Sequence, residues 1–370
     1  MPLAGHQLST GRPRSGFSTG VRAVWRETSE GAGSVLVMDS TSPEPTTSSV
    51  TATRLRARTP DDLAAFVPLA LGFVPERSVV MISVGSAGGM HARVTLPHDV
   101  DDVDDVVEAL LRPARSNGVR EVVVMVYDDD TAVADEAAWA LHEELTAAGI
   151  SVREVLRIHD DHWYAVLPGA PLAAYQGVPF VLAEHAFTAQ GVYDGRVTHP
   201  SREALRATID QDVDSARALE PLLAEATPLP AGSLAALVRG HHASPGSTFA
   251  PSELAAVAVS LPLGERRDEA WTWLERTDAR RAVDLWSDAV RRLPTSHVAG
   301  PAAVLAFASW LVGDGALAWC AVDRCHEAEP THSLASLVAQ LLDSATSPDL
   351  WEELRPRLGS ASVRTADPAA

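Results

Sequence analysis

Alternating and continuous apolar stretches divide the chain after residue 53 into short strands and helices. Residues 54–58 alternate like a strand with one solvated face. Thr59 and Pro60 predict that a helix follows, because a hydroxyl side chain caps a first turn and proline fits the first helical position. The nearly continuous apolar run at 78–84 predicts a buried strand, and 90–96 predicts the second arm of its hairpin.

Residues 99–162 contain a strand–helix–strand pattern. An amphipathic helix is predicted over 99–117, followed by the most apolar strand of the chain at 121–127. A helix at about 133–148 and a strand at 150–158 complete a unit that is typical of parallel strands joined by a crossover. A turn at 159–162 then leads into another strand.

The pattern changes to helices alone in the second half. Helical segments are predicted near 180–190 and 201–218, and the proline-bearing stretch 219–231 is predicted to be a linker. The later helices are predicted at 232–240, 251–261, 265–276, 280–292, 299–312, 315–328 and 332–344. The domains are therefore predicted as a disordered N-terminal extension (1–52), an α/β domain with a mixed sheet, hairpins and a parallel crossover (53–218), the linker, an all-α repeat-like domain (232–358) and a disordered tail (359–370).

The helical half contains an internal repeat of 36 residues. One small-x3-large-x2-small-x4-proline pattern recurs: Ala282, Trp286, Ala289 and Pro294, then Ala318, Val322, Cys325 and Pro330, with Gly313 preceding the second copy. Small residues let two helices approach closely, and proline ends the helix. The order resembles the second helix of a tetratricopeptide repeat. It predicts helix packing and, as an alternative use of the tryptophans of this half, a peptide-binding groove.

Composition limits the classes of partner. The chain has 370 residues, is 46% hydrophobic and carries a net charge of −19, and all thirty basic residues are arginine. Such a balance excludes a polybasic nucleic-acid binder. Residues 99–161 hold seventeen acidic and five basic residues, which predicts an acidic face on the α/β half.

The compartment is predicted to be the cytoplasm. The two cysteines, Cys320 and Cys325, are five apart in one predicted helix and form no disulfide framework. The longest apolar stretch is 301–313, which is shorter than the roughly 20 residues of a spanning helix, so no membrane partner is expected. The polar segment from Met38 onward resembles a bacterial protein start, so either Met1 or Met38 is the expected initiator.

Several segments together resemble an actinobacterial family known as domain of unknown function 4192. They are Leu55-Arg56-Ala57-Arg58-Thr59-Pro60-Asp61-Asp62-Leu63, Leu71-Gly72-Phe73, Ala92-Arg93-Val94, Trp163, Pro200-Ser201-Arg202-Glu203 and Trp310-Leu311-Val312-Gly313-Asp314-Gly315. The resemblance extends from about residue 54 to 342. It implies membership of a family and no particular activity.

Candidate chemistry is concentrated at one predicted strand end. Asp128, Asp129 and Asp130 follow the strand at 121–127, where open α/β sheets place ligands, and clustered carboxylates suit Mg²⁺. His159 and His162 flank the next turn of the same sheet and are candidate metal ligands. Helix capping and a solvated acidic surface are the alternatives. Arg56, Arg58 and Arg202 are candidate anion contacts.

The expected function is that of a non-enzymatic ligand-sensing or scaffold protein. Phosphate-loop, dinucleotide-binding, serine-hydrolase and zinc-protease motifs are all missing from the sequence. The helical domain would then dock an unidentified protein, with no cofactor and no nucleic acid. The alternative is a metal-dependent hydrolase or nucleotidyl enzyme that uses Mg²⁺ at Asp128, Asp129 and Asp130.

Overall fold

The computed structural model describes residues 36–38, 55–84 and 90–364. Its first two strands, β1 (Leu36–Met38) and β2 (Leu55–Ala57), pair antiparallel and form a small separate sheet. The prediction of disorder throughout 1–52 is therefore wrong for residues 36–38. A three-residue strand is too short to show a period, and its partner lies beyond residue 52. The rest of 1–52, the glycine-rich turn at 85–89 and residues 365–370 lie outside the described residues.

The main sheet has six strands in the order β4-β3-β5-β6-β7-β8. Strands β5 and β6 are parallel and are joined by α3, which confirms the predicted crossover; the other pairs are antiparallel. The elements of this part are α1 (Pro60–Leu71), β3 (Ser78–Ser83), β4 (His91–Thr95), α2 (Val103–Ser116), β5 (Glu121–Tyr127), α3 (Thr131–Ala147), β6 (Ser151–His159), β7 (His162–Ala165), α4 (Leu172–Gln176), β8 (Val178–Pro179) and α5 (Ala186–Tyr193).

Helices cover both faces of this sheet. Residues of β3 and β5 alternate between the two sides, so that Val79 and Val124 pack with α2 and α3. Val80 and Met125 pack with α1 and β2 on the opposite side. Burial on both faces explains why the central strands read as continuous apolar runs.

Local sequence sets the bounds of α1. The Thr59 hydroxyl accepts a hydrogen bond from the Asp62 backbone N–H, and the Asp62 carboxylate accepts one from the Thr59 N–H, which together make a capping box. Gly72 ends the helix with φ +75°, a conformation that residues with a side chain rarely adopt. The predicted helix start at Thr59 and Pro60 is confirmed.

The second part is entirely helical. Helix α6 (Arg202–Ala207) connects the α/β part to it. The elements of the second part are α7 (Val213–Glu225), α8 (Ser233–His242), α9 (Pro251–Ser260), α10 (Gly264–Trp271), α11 (Ala279–Arg292), α12 (Ala299–Leu311), α13 (Gly315–Ala328), α14 (Ser333–Asp343) and α15 (Asp349–Arg364). Helix α12 is its centre and is buried from Pro301 to Leu311. Trp271, Phe307 and Trp351 stack against one another beside it, with ring centroids 4.7–5.4 Å apart.

Several predicted boundaries differ from the structure; for example, α5 begins at Ala186 rather than near 180, and α10 ends at Trp271 rather than at 276. The first seven residues of the predicted linker 219–231 complete α7, and Leu219 and Leu223 are buried in the helical core. The predicted helix 201–218 is two helices, because the Asp212 carboxylate caps a new start at Val213. The predicted tail at 359–370 is helical as far as Arg364, since α15 continues beyond Trp351.

The 36-residue repeat corresponds to two equivalent helices. Helices α11 and α13 each contain fourteen residues and start 36 positions apart, and Pro294 and Pro330 follow their ends. The small–large–small positions are buried in the helical core: Ala282, Trp286 and Ala289 in α11, and Ala318, Val322 and Cys325 in α13. Gly313, at φ +83°, forms the turn between α12 and α13.

Candidate functional site

The acidic cluster lies at one edge of the main sheet. Parallel strands end together, so Asp128, Asp129 and Asp130 after β5 lie beside His159 at the end of β6. Arg77, which precedes β3, reaches the same edge because β3 runs antiparallel to β5. The sequence prediction of a polar strand end is therefore confirmed in position.

Asp128 is the buried member of this cluster, with 6% of its surface exposed. One carboxylate oxygen accepts a hydrogen bond from the Asp130 backbone N–H at 3.1 Å, and the other lies 3.9 Å from Nε of Arg77. Burial raises the pKa of Asp128, with a smaller contribution from the neighbouring Asp129 carboxyl, while hydrogen bonding to Asp128 lowers the pKa of the exposed Asp129.

Arg77 is held in an unusual backbone conformation beside Asp128. Its φ of +40° is in the left-handed region that side-chain-bearing residues rarely adopt. Its guanidinium donates to the Pro97 carbonyl at 3.0 Å and lies 2.8 Å from Nδ1 of His98. These contacts fix the positive charge that faces the buried carboxylate.

Asp130 caps the start of α3. Its carboxylate accepts hydrogen bonds from the backbone N–H groups of Ala132 and Val133, at 3.0 and 3.4 Å, and thereby caps α3. The capping alternative stated for these acids therefore describes Asp130 well, since a carboxylate at a helix start satisfies otherwise unpaired donors.

The two candidate histidines lie opposite each other across the β6–β7 hairpin. Nε2 of His159 is 3.4 Å from the Asp160 carboxylate, and the His159 charge acts on Asp129. The His162 ring lies 6.4 Å from that of Tyr164. Within the described residues, no three His, Cys, Asp or Glu side chains are arranged to hold a metal ion.

The candidate anion contacts Arg58 and Arg202 belong to different segments of the fold. The Arg56 side chain lies outside the described residues. Arg58 is exposed beside the start of α1, where its backbone N–H donates to Asp62 at 2.7 Å. Arg202 lies on α6, where its guanidinium pairs with Asp323 of α13 at 2.8 Å.

Residues of the α1 start fix neighbouring elements. The Trp163 indole donates to the Asp61 carboxylate at 2.5 Å, and Nε2 of His185 lies 3.2 Å from the Asp62 carboxylate. Nδ1 of His185 accepts from the Phe187 backbone N–H and caps α5. The aspartates of this segment, which carries part of the family resemblance, thus position β7 and α5 against α1.

A charged junction joins the α/β part to the helical part. Arg202 and Arg206 of α6 form ion pairs with Asp323 and Glu327 of α13. The Asn117 side chain donates to the Ser344 carbonyl at 2.9 Å, which links α2 to the end of α14. No local sequence pattern predicts this junction, because its partners are up to 227 residues apart.

The same junction contains a half-buried arginine, Arg93, on the edge strand β4. Its guanidinium lies 5.4 Å from the centre of the Phe73 ring, and Nε is buried with no hydrogen-bond partner among the described residues. Burial lowers the pKa of Arg93, and the nearby positive charge of Arg202 lowers it further. Arg93 and Arg202 both belong to segments that carry the family resemblance.

Asp314 is a second charged residue of the junction. Its carboxylate caps α13 by accepting from the Leu317 N–H at 2.9 Å. Burial raises its pKa, although the hydrogen bond from the Leu317 N–H and the nearby Arg280, His199 and Arg196 act in the opposite direction. The cap sets the start of α13 at Gly315.

Two surface cavities lie away from the acidic edge and from Arg93. Two shallow cavities of about 340 and 320 Å³ border α7, the first lined by Leu222, Pro228 and Ala256 and the second by Glu220 and His297. Neither includes the acidic edge or Arg93. Helix α12 is buried throughout its central length, so its face offers no open groove for a peptide.

Comparison with known proteins identifies the family. No helix within the described residues is long and apolar enough to cross a membrane. No curated protein and no solved structure matches the chain. A family model described as "Domain of unknown function (DUF4192)" matches residues 60–349, which include the acidic edge, Arg93 and the junction. The chain therefore belongs to the DUF4192 family.

Proposed function

We propose that this chain is a non-enzymatic cytoplasmic protein that senses a ligand through its α/β part and docks a partner protein through its helical part. The observation that carries the proposal is the ionic junction, in which Arg202 and Arg206 pair with Asp323 and Glu327. Exposed ion pairs contribute only about 0–1 kcal/mol each. Rearranging a junction built from such pairs costs little free energy. A sensor needs two states that differ by only a few kcal/mol.

The acidic edge supports a non-catalytic role. Asp130 caps α3, and Asp128 binds the backbone N–H of Asp130 and faces Arg77. Both carboxylates therefore stabilise the β5–α3 connection. The two cysteines are unpaired and buried, which agrees with a reducing compartment.

The repeat supports a docking role for the helical part. Helix α10 packs against α12, and α12 packs against both α13 and α14, an order of neighbours that resembles stacked tetratricopeptide units. Since α12 is buried, a partner would contact an outer helix. Leu337 of α14 is 43% exposed and is the apolar candidate for that contact.

The test is capture of a partner by the full-length protein, followed by cross-linking to locate the contact. We expect the cross-links to map to α14, and Leu337→Asp to weaken capture about tenfold or more, as burial of an apolar contact residue predicts. Leu172→Asp is the matched control, because Leu172 is 73% exposed but lies in the α/β part. Loss of capture in the control alone, or no specific partner at all, would overturn the docking proposal.

A second candidate is a metal-dependent hydrolase or nucleotidyl enzyme. The observation in its favour is the buried Asp128 carboxyl at the carboxyl end of β5, next to Asp129 and to His159 at the end of β6. Calorimetry with Mg²⁺ and Mn²⁺ tests it, with Asp128→Asn and Asp130→Asn as variants. Asn also caps helices, so Asp130→Asn removes charge and keeps α3 intact. Heats that are the same for the wild type and both variants would exclude this candidate.

A further inference from the structure

We infer that the junction contains an oxyanion site in which Arg93 and Arg202 bind a phosphoryl or carboxylate group. This inference rests on the proposed function and assigns the ligand class of the sensor. The two arginines come from β4 of the main sheet and from α6, the helix that connects the two parts. A ligand bound to both would therefore bridge the sheet and this connecting helix.

Arg93 is the key residue of this site, because a buried guanidinium nitrogen normally has a hydrogen-bond partner. It has five N–H donors and no acceptor, and burying such a charge without hydrogen bonds is costly. Nε of Arg93 is buried without a partner, and none of the ion pairs between described residues includes Arg93. The Phe73 ring covers the guanidinium but accepts no conventional hydrogen bond.

The neighbouring charges define what the site accepts. The Arg93 guanidinium covers Phe73, and Phe73 pairs with His199 just before α6. The positive charge of Arg202 at the start of α6 lowers the pKa of Arg93. Asp323 already pairs with Arg202. Hydrogen bonds from the Glu203 backbone and from Ser201 lower the pKa of the Glu203 carboxyl. Glu203 attracts Arg93 over a longer range without forming an ion pair with it.

The forked geometry of arginine selects the ligand chemistry. Two parallel N–H groups match the oxygens of a phosphate or carboxylate and bind them in a bidentate manner. An oxyanion between Arg93 and Arg202 would supply the acceptors that Arg93 lacks and relieve the repulsion between the two guanidinium groups. A chloride ion offers no such fork.

The experiment is thermal unfolding of the full chain in sodium phosphate, sodium acetate or sodium chloride at matched ionic strength. We expect a saturable rise in Tm of roughly 4 °C in phosphate or in acetate over chloride, the size produced by a ligand well above its Kd. Whichever anion gives the rise identifies the source as phosphoryl or carboxylate. Equal Tm values in all three salts would overturn the inference.

Arg93→Met separates ligand binding from a structural role. We expect it to abolish the response to the oxyanion and to leave Tm in chloride unchanged or higher, because it removes an unpaired charge. Arg115→Met is the matched control, an exposed arginine near the end of α2, and should keep the full response. A response retained in Arg93→Met would overturn the inference. If that variant does not fold, Arg93→Lys provides the test, since it keeps the positive charge and loses the forked pair of N–H donors. We expect the apparent affinity of Arg93→Lys for the oxyanion to fall about tenfold.

The result is independent of partner docking. Failure of the oxyanion response would leave partner capture through α14 unaffected. Conversely, failure to capture a partner would remove the docking proposal while leaving a measured oxyanion site in place.

Discussion

Single ionisable residues in the α/β part are placed where burial opposes their charge. Glu154 on β6 has its pKa raised to about 7 by burial, although a backbone hydrogen bond at Val155 acts in the opposite direction. Unlike Asp128, which faces Arg77, Glu154 has no ion-pair partner among the described residues. Its charged form is therefore a cost to the folded state at neutral and alkaline pH.

Glu154→Gln should stabilise the protein at pH 8 by about 3 kcal/mol and have little effect at pH 4. The sign follows from the raised pKa of the folded state. Glu154 is protonated in the folded protein below about pH 7, whereas the unfolded chain loses this proton near pH 4.5. Stability is therefore lost as pH rises through this window. Urea unfolding of both proteins between pH 4 and 8 measures it, and an unchanged difference across that range would contradict the prediction.

Elements were predictable where their signals are local. The strand at 121–127 has the bounds predicted for it, because a continuous apolar run between polar residues is visible in one window. The second half of α7 was predicted as a linker because it contains Pro221. The burial of Leu219 and Leu223, which shows that the segment is helical and packed, becomes visible only in the folded structure. The sequence did not indicate Arg93 as a residue of the proposed site. An arginine on a strand with alternating polarity is expected to face solvent, and only the fold places α6 and Phe73 beside it.

The capping box of α1 gives a prediction at this scale. Thr59→Ala should lower the free energy of unfolding by about 1 kcal/mol, because it leaves a first-turn N–H of α1 without its partner. Thr59→Ser keeps the hydroxyl and is the control. Denaturant unfolding of the three proteins compares them. Equal losses in both variants would mean that packing of the threonine methyl, rather than the cap, is what Thr59 contributes.

At the scale of the whole molecule, the junction determines whether the two parts behave as one. It combines the ion pairs of α6 with α13, the Asn117–Ser344 hydrogen bond and the burial of Phe73 in the helical core. Phe73 comes directly after the end of α1, so the α/β part contributes a side chain to the core of its neighbour. This shared packing predicts a single cooperative unfolding transition.

Charge reversal tests the ionic part of this coupling. Arg206 faces Glu327 and is also influenced by Asp210 and Asp323, so Arg206→Glu places several like charges together. We expect Arg206→Glu to separate thermal unfolding into two transitions, with the less stable part melting several degrees earlier. Glu327→Arg should act similarly and additionally loses the 3.5 Å contact with Arg324.

The double variant, Arg206→Glu with Glu327→Arg, should restore a single transition, because it recreates an opposite-charge pair in reversed order. Arg93 and Arg202 are unchanged in it, so its response to oxyanions should also return, whereas each single reversal should weaken that response by loosening α6 against α13. Calorimetric scans with and without phosphate measure both properties on one sample. A double variant that melts in two steps like the single ones would show that the shape of these side chains, and not their charge, joins the two parts.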